Sequence, residues 1–108
     1  MTKINECDVN PNICDTHRGK TLIDKTNGAT NTFSFGISEY FSDEFGEEGI
    51  HDEQEGFYVI EGNGTAKIGS NIFDIEKGDA FIVPKGTKHT LKKSKNTNVL
   101  KVLWAHGA

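Results

Sequence analysis

The sequence predicts an all-β domain, a sandwich or barrel of short strands, and three observations carry that prediction. Short apolar, β-branched and aromatic runs recur from residue 56 to 105, each closed within a few residues by Gly, Asn, Asp or Pro. Residues 32–38 alternate strictly, with Phe33, Phe35 and Ile37 set between Thr32, Ser34, Gly36 and Ser38, the period of a strand with one buried face. No segment sustains a helical period, and no repeat appears at solenoid spacing. The composition agrees: 34% hydrophobic residues with 12 glycines suits many strands joined by turns.

Taken in order, residues 1–19 are rich in Asn, Asp, Thr and Cys and show no period, so they are read as an irregular N-terminal arm. Residues 20–108 then form a single domain, the size that one core can support. A first strand is expected at 20–24, followed by a turn in which Asn27-Gly28 tolerates positive φ. The alternating strand at 32–38 is expected to turn Phe33, Phe35 and Ile37 to the core. Residues 40–49 are acidic and glycine-bearing, a loop or a short helical turn from Ser42 whose carboxylates read as a solvated rim. Strands follow at 56–61, 65–68, 71–75, 80–83, 89–93 and 99–105. Tyr58 and Ile60 fall on the face opposite residues 55, 57 and 59 and are read as packing residues.

Charge and composition narrow the partners. A formal charge of −4 with no basic stripe argues against nucleic acid and against a membrane surface, and leaves a small-molecule ligand. No apolar run nears the roughly 20 residues that cross a bilayer, and the polar start, Met1-Thr2-Lys3-Ile4-Asn5-Glu6, has no signal-peptide core behind it. A cytoplasmic protein is expected. Cys7 and Cys14 would then stay thiols, and their loose spacing with Asp15 and His17 does not match a zinc site.

Two segments carry chemistry. The first, His51-Asp52-Glu53-Gln54-Glu55, leads an imidazole and a carboxylate into an apolar run; the second, Pro84-Lys85-Gly86-Thr87-Lys88-His89, ends a similar run. Glu55 begins a strand and His89 another, so both can point into one barrel mouth, with His51 at the end of the preceding strand. Imidazole nitrogen and carboxylate oxygen suit a divalent first-row metal, and three such ligands leave positions open for water or substrate. Phe35, Ile37, Phe57 and Val59 are candidates for lining that mouth or for the core. His17 and His106 are read as solvent-exposed.

These segments resemble the cupin family, whose first motif runs G-x5-H-x-H-x3,4-E-x6-G and whose second runs G-x5-P-x-G-x2-H-x3-N. The second is met at Gly78, Pro84, Gly86 and His89, with Lys93 in place of Asn; the first is met at His51, Glu55 and Gly62, with Gly49 where its first histidine would stand. The resemblance covers residues 33–105 and leaves out the arm. It implies a double-stranded β-helix or jelly-roll barrel, and it implies that the usual set of three histidines and one glutamate is reduced to His51, Glu55 and His89. Glu47, Glu48 and Glu53 are near enough in sequence to fill the vacant place. By the same resemblance the cofactor is a divalent ion, Fe, Mn, Zn or Ni, and the protein a homodimer. The activity implied is that of an oxygenase, isomerase or lyase on a small organic acid or sugar. A non-catalytic ligand-binding or sensing module is the alternative, and a storage role is disfavoured because seed-storage relatives are far longer.

Overall fold

Nine strands make up the computed structural model, which describes residues 3–108: β1 Asn12–Ile13, β2 His17–Ile23, β3 Ser34–Tyr40, β4 Gln54–Glu61, β5 Asn63–Ile68, β6 Asn71–Glu76, β7 Ala80–Val83, β8 His89–Lys93 and β9 Leu100–Gly107. They pair into a six-stranded sheet, β1-β2-β3-β9-β4-β7, and a three-stranded sheet, β6-β5-β8. Every ladder is antiparallel. The two sheets stack as a jelly-roll sandwich, and no α-helix is present among the described residues. The all-β jelly roll expected from the strand rhythm is the fold observed.

Inward side chains from both sheets close the core. Val59, Val83, Leu91, Leu100 and Val102 are all but fully buried, joined by Ala66, Ile75, Phe57 and Ile68. Each large aliphatic side chain so buried contributes about 1.5–3 kcal/mol. A surface pair such as Arg18–Glu39, at 3.0 Å with side chains 41% and 32% exposed, contributes ~0–1 kcal/mol, so the sandwich is held by its interior.

Two expectations are corrected. The boundary expected at residue 19 falls inside β2, because His17, Arg18 and Gly19 already pair with Tyr40, Glu39 and Ser38 of β3. The segment 12–13 adds a further strand against Gly19 and Arg18. The predicted face of β3 is inverted as well: Gly36, Ser38 and Tyr40 are the buried positions, while Phe35 and Ile37 face outward and Phe33 is 48% exposed. The cause lies in Trp104, whose indole crosses β3 where Gly36 has no side chain. A small residue is needed on that inner face, so the aromatic face must lie outside.

Turn chemistry then sets where the site is built. Gly86, at φ 73°, a left-handed conformation that glycine adopts without strain, donates its backbone N–H to the His51 carbonyl at 2.8 Å. Gly49 and His89 exchange backbone hydrogen bonds of 2.9 and 3.0 Å. His51 thus sits in the loop before β4, not at the end of a strand, clamped between the start of β8 and the turn that precedes it.

Candidate metal centre

Glu55 lies on β4 directly opposite His106 of β9, and residues facing each other in an antiparallel ladder project to the same side. That side is the sandwich interior, where Glu55 is 5% exposed. His89 enters from the other sheet, at the first position of β8, and His51 from the loop between Gly49 and β4. Three sequence-distant elements therefore meet at one carboxylate.

The distances are short and consistent. Nε2 of His89 and Nε2 of His51 lie 3.0 and 3.1 Å from Glu55 Oε1. Nε2 of His106 lies 3.0 Å from Glu55 Oε2. The ligand-type atoms of His51, Glu55 and His89 all fall within 4.8 Å of one another. Each imidazole has its other nitrogen at an acceptor: His51 Nδ1 is 3.4 Å from the Glu53 carbonyl, His89 Nδ1 is 3.1 Å from the Thr87 carbonyl, and His106 Nδ1 is 3.2 Å from Glu53 Oε1. A proton on Nδ1 satisfies those acceptors and leaves the Nε2 lone pairs turned inward at Glu55. Two electron-rich atoms at that separation need a positive charge between them. Glu55 Oε1 is accordingly buried with no hydrogen-bond donor assigned to it.

Without an ion, protons on the imidazoles meet the same need, and the electrostatics follow from their donating to Glu55. Burial pushes the Glu55 carboxyl up, yet its contacts with His89 and His106 outweigh burial and hold it below its ordinary value. Burial pulls His89 down, and its contacts with Glu55 and the Thr87 carbonyl outweigh that too, raising it above the ordinary imidazole value. Tyr40, almost wholly buried beside this carboxylate, is pushed far upward by burial first and by the Glu55 charge second. Its hydroxyl stays protonated at neutral pH.

All four histidines of the chain line one cavity of about 300 Å³, together with Asn12, Cys14, Ser38, Tyr40, Glu47, Phe57, Thr90 and Trp104. This overturns the expected exposure of His17 and His106. His17 is half-buried and stacks on Tyr40 at 4.8 Å, and the His106 side chain is 19% exposed and packs, tilted, against His51 at 4.5 Å. One signal for His106 was present in the sequence, since Leu100, Val102, Trp104 and His106 continue a single period-two face; the last strand runs on to Gly107 rather than ending at 105. Of the acidic residues considered for the vacant motif position, Glu53 stands behind His106, Glu48 lies 3.9 Å from Lys67, and Glu47 reaches the cavity wall. Tyr58, read as a packing residue, is 46% exposed on the outer face.

Comparison with known proteins follows from this geometry. The sequence matches the model of the Cupin domain family over residues 42–106. Among curated proteins, none matches it in sequence. Solved structures do resemble it. The polyketide cyclase RemF from Streptomyces resistomycificus superposes with a TM-score of 0.82 at 19% identity, over 98% of this chain and 78% of that one. Fe(II)-HppE with an alternative substrate gives 0.78 at 14% identity, over 95% and 58%. A mutant of the Bacillus subtilis oxalate decarboxylase OxdC gives 0.82 at 16% identity, over 96% and 28%. The chain therefore spans little more than half of the second protein and under a third of the last.

Proposed function

The chain belongs to the cupin family, and from that premise we propose that it is a metal-dependent protein acting on a small molecule, with one divalent ion held by His51, Glu55 and His89. The convergence of imidazole Nε2 atoms on Glu55, with every Nδ1 engaged from outside, is the observation that carries this reading. The competing arrangement is a proton on each nitrogen. It would set imidazolium rings 4.5 to 4.9 Å apart, a repulsion of about 3.5 kcal/mol per pair at a protein-like dielectric. One cation relieves the contacts of His51 and His89 with Glu55 Oε1 at once. Nitrogen and oxygen donors suit Fe, Mn, Zn or Ni, and such an ion supplies Lewis acidity, or with iron a site for oxygen.

The protein's own residues shape what can bind. Phe57, Tyr40 and Trp104 give the cavity an apolar side, and Ser38, Thr90 and Asn12 give it hydroxyl and amide groups. No Lys or Arg lines it among the described residues, so nothing is in place to neutralise a phosphate. A small organic acid or sugar, presenting an oxygen to the ion and its carbon skeleton to the aromatic side chains, fits best. Oxygenase, isomerase and lyase chemistry remain the classes to assay, and the iron in the name of one fold relative puts oxygen chemistry first in order. A non-catalytic ligand-binding role is the second reading, favoured by the shortage of charged groups in the cavity beyond Glu47 and Glu55. We place the protein in the cytoplasm on the strength of two exposed free thiols, Cys7 and Cys14; no described helix is long and apolar enough to cross a membrane.

We also read it as a homodimer joined through the outer face of the six-stranded sheet. Two apolar rows cross four strands in register there, Ile37-Leu103-Tyr58-Ala80 and Phe35-Ala105-Gly56-Ile82. Arg18, Glu39 and Lys101 supply both signs of charge around them. Six strands about 4.8 Å apart and averaging some six residues cover roughly 600 Å² per protomer, which brings two copies to the lower bound of a stable interface. A second copy of the same face matches it, apolar centre to apolar centre.

The experiment for the metal reading is elemental mass spectrometry on untagged protein and on His89→Ala. One equivalent of metal in the wild type and little in the variant is expected; none in either after reconstitution would sink the reading.

A further inference from the structure

We propose that His106 is a fourth metal ligand, which takes over from the last strand the role that Gly49 leaves vacant in the first motif. The inference rests on the metal reading above. It starts from two facts about position 49. The glycine pairs with His89, and a Cβ built on it would point at that ring, 3.5 Å from both Nε2 and Cε1. A side chain at 49 would therefore enter the same site, and the chain has none there.

His106 approaches the site from the opposite sheet. Its Nε2 lies 3.0 Å from Glu55 Oε2, the oxygen that His51 and His89 do not address, and its ring packs, tilted, on His51 at 4.5 Å. Its Nδ1 faces the Glu53 carboxylate at 3.2 Å. A carboxylate behind an imidazole fixes the Nδ1–H tautomer and makes Nε2 more basic, the usual outer support of a metal-bound histidine. Glu53 is thus a positioning residue. His51 and His89 rest on neutral carbonyls, so His106 is the most strongly donating imidazole of the three. His106 stands outside the tight group that the other three residues form, so its ring would have to turn inward to reach an ion held there.

Backbone geometry also favours this assignment. His106 is locked in register by pairing with Glu55 on one side and with Ser34 on the other. Trp104, two residues earlier on the same face, lies 5.0 Å from its ring.

The test counts nitrogens. Wild type, His106→Ala, and His106→Ala combined with Gly49→His are loaded with one equivalent of Cu²⁺ alone, and nitrogen hyperfine structure is read by electron paramagnetic resonance, with affinity from competition titration. The expected result is three imidazole nitrogens in wild type and two in His106→Ala. Affinity in that variant falls by about 100-fold or more, beyond the 10–100-fold that loss of an outer-shell partner costs. Gly49→His, placed beside His89, restores the third nitrogen and part of the affinity, which also shows that His106→Ala folds. Two nitrogens in both wild type and His106→Ala, with affinities within about threefold, would overturn the assignment and leave the three-residue site standing. No copper bound by the wild type would overturn both.

Discussion

The indole of Trp104 lies across the bare backbone of Gly36, so close that a Cβ on the glycine would stand 2.5 Å from Trp104 Cζ2 and would collide with the Lys20 carbonyl as well. β2, β3 and β9 meet at this point, and neither a strand backbone nor a packed indole gives way easily. Gly36→Ala is therefore expected to cost about 3 kcal/mol, at the upper end for overpacking, and to lower the melting temperature by roughly 10–20 °C. Circular dichroism on heating measures it. A variant melting within about 3 °C of wild type would show that β2 or the indole yields without strain.

Glu55 is where the metal reading is most exposed to test. An ion that binds only the folded chain stabilises it by about 2.7 kcal/mol at one hundred times its dissociation constant, a rise of roughly 10–20 °C for a domain of this size. Glu55→Gln keeps the shape and removes the charge, so most of that rise should vanish. Zn²⁺ added to chelator-treated protein serves as the probe, read by scanning fluorimetry. An equal rise in both proteins would place the binding elsewhere.

Much of this architecture was legible in the chain, and the reasons are local. Turn residues and period-two runs placed the strands from 54 onward to within a residue or two at most ends, because glycine and proline act through their own φ angles. The spacing within two motifs singled out His51, Glu55 and His89, whose ligand-type atoms the fold brings within 4.8 Å of one another. His106 was not singled out, although it faces Glu55 directly, since that neighbourhood comes from pairing strands fifty residues apart. His17 carries no signal at all: the inward positions of its strand are His17, Gly19 and Thr21, a polar face that reads like loop. Phe35 and Ile37 misled because alternation tells which residues share a face and not which face is inside.

His17 offers a pH signature distinct from that of His89. Burial alone pulls its imidazole below the ordinary value, so the folded protein holds it neutral where the unfolded chain would protonate it. Its contribution to stability is complete above about pH 6.5 and is lost as pH falls through the folded-state value. His89, shifted upward, works in the opposite sense, present below that pH and lost as pH rises through its folded-state value. The two are separated by difference: in metal-free protein, His17→Gln should lose less stability than wild type on going from about pH 7 to pH 5. Urea unfolding across that range decides it, and parallel curves for the two proteins would contradict the burial argument.

Leu103 sits at the centre of the outer sheet face, paired with Ile37 on one side and Tyr58 on the other. Its substitution by lysine leaves the core intact, because the inward positions of β9 are Leu100, Val102 and Trp104. A charge in the middle of a twofold interface, however, meets its own copy or close to it, and costs several kcal/mol when desolvated without a partner. Leu103→Lys is expected to give a folded monomer by light scattering where wild type gives a dimer at micromolar concentration. Ile72, 61% exposed on the smaller sheet, provides the comparison: Ile72→Lys should leave the dimer whole. A monomeric wild type, or a dimer lost with Ile72→Lys and kept with Leu103→Lys, would remove the outer face of the larger sheet, with Phe35, Ile37 and Tyr58, as the interface.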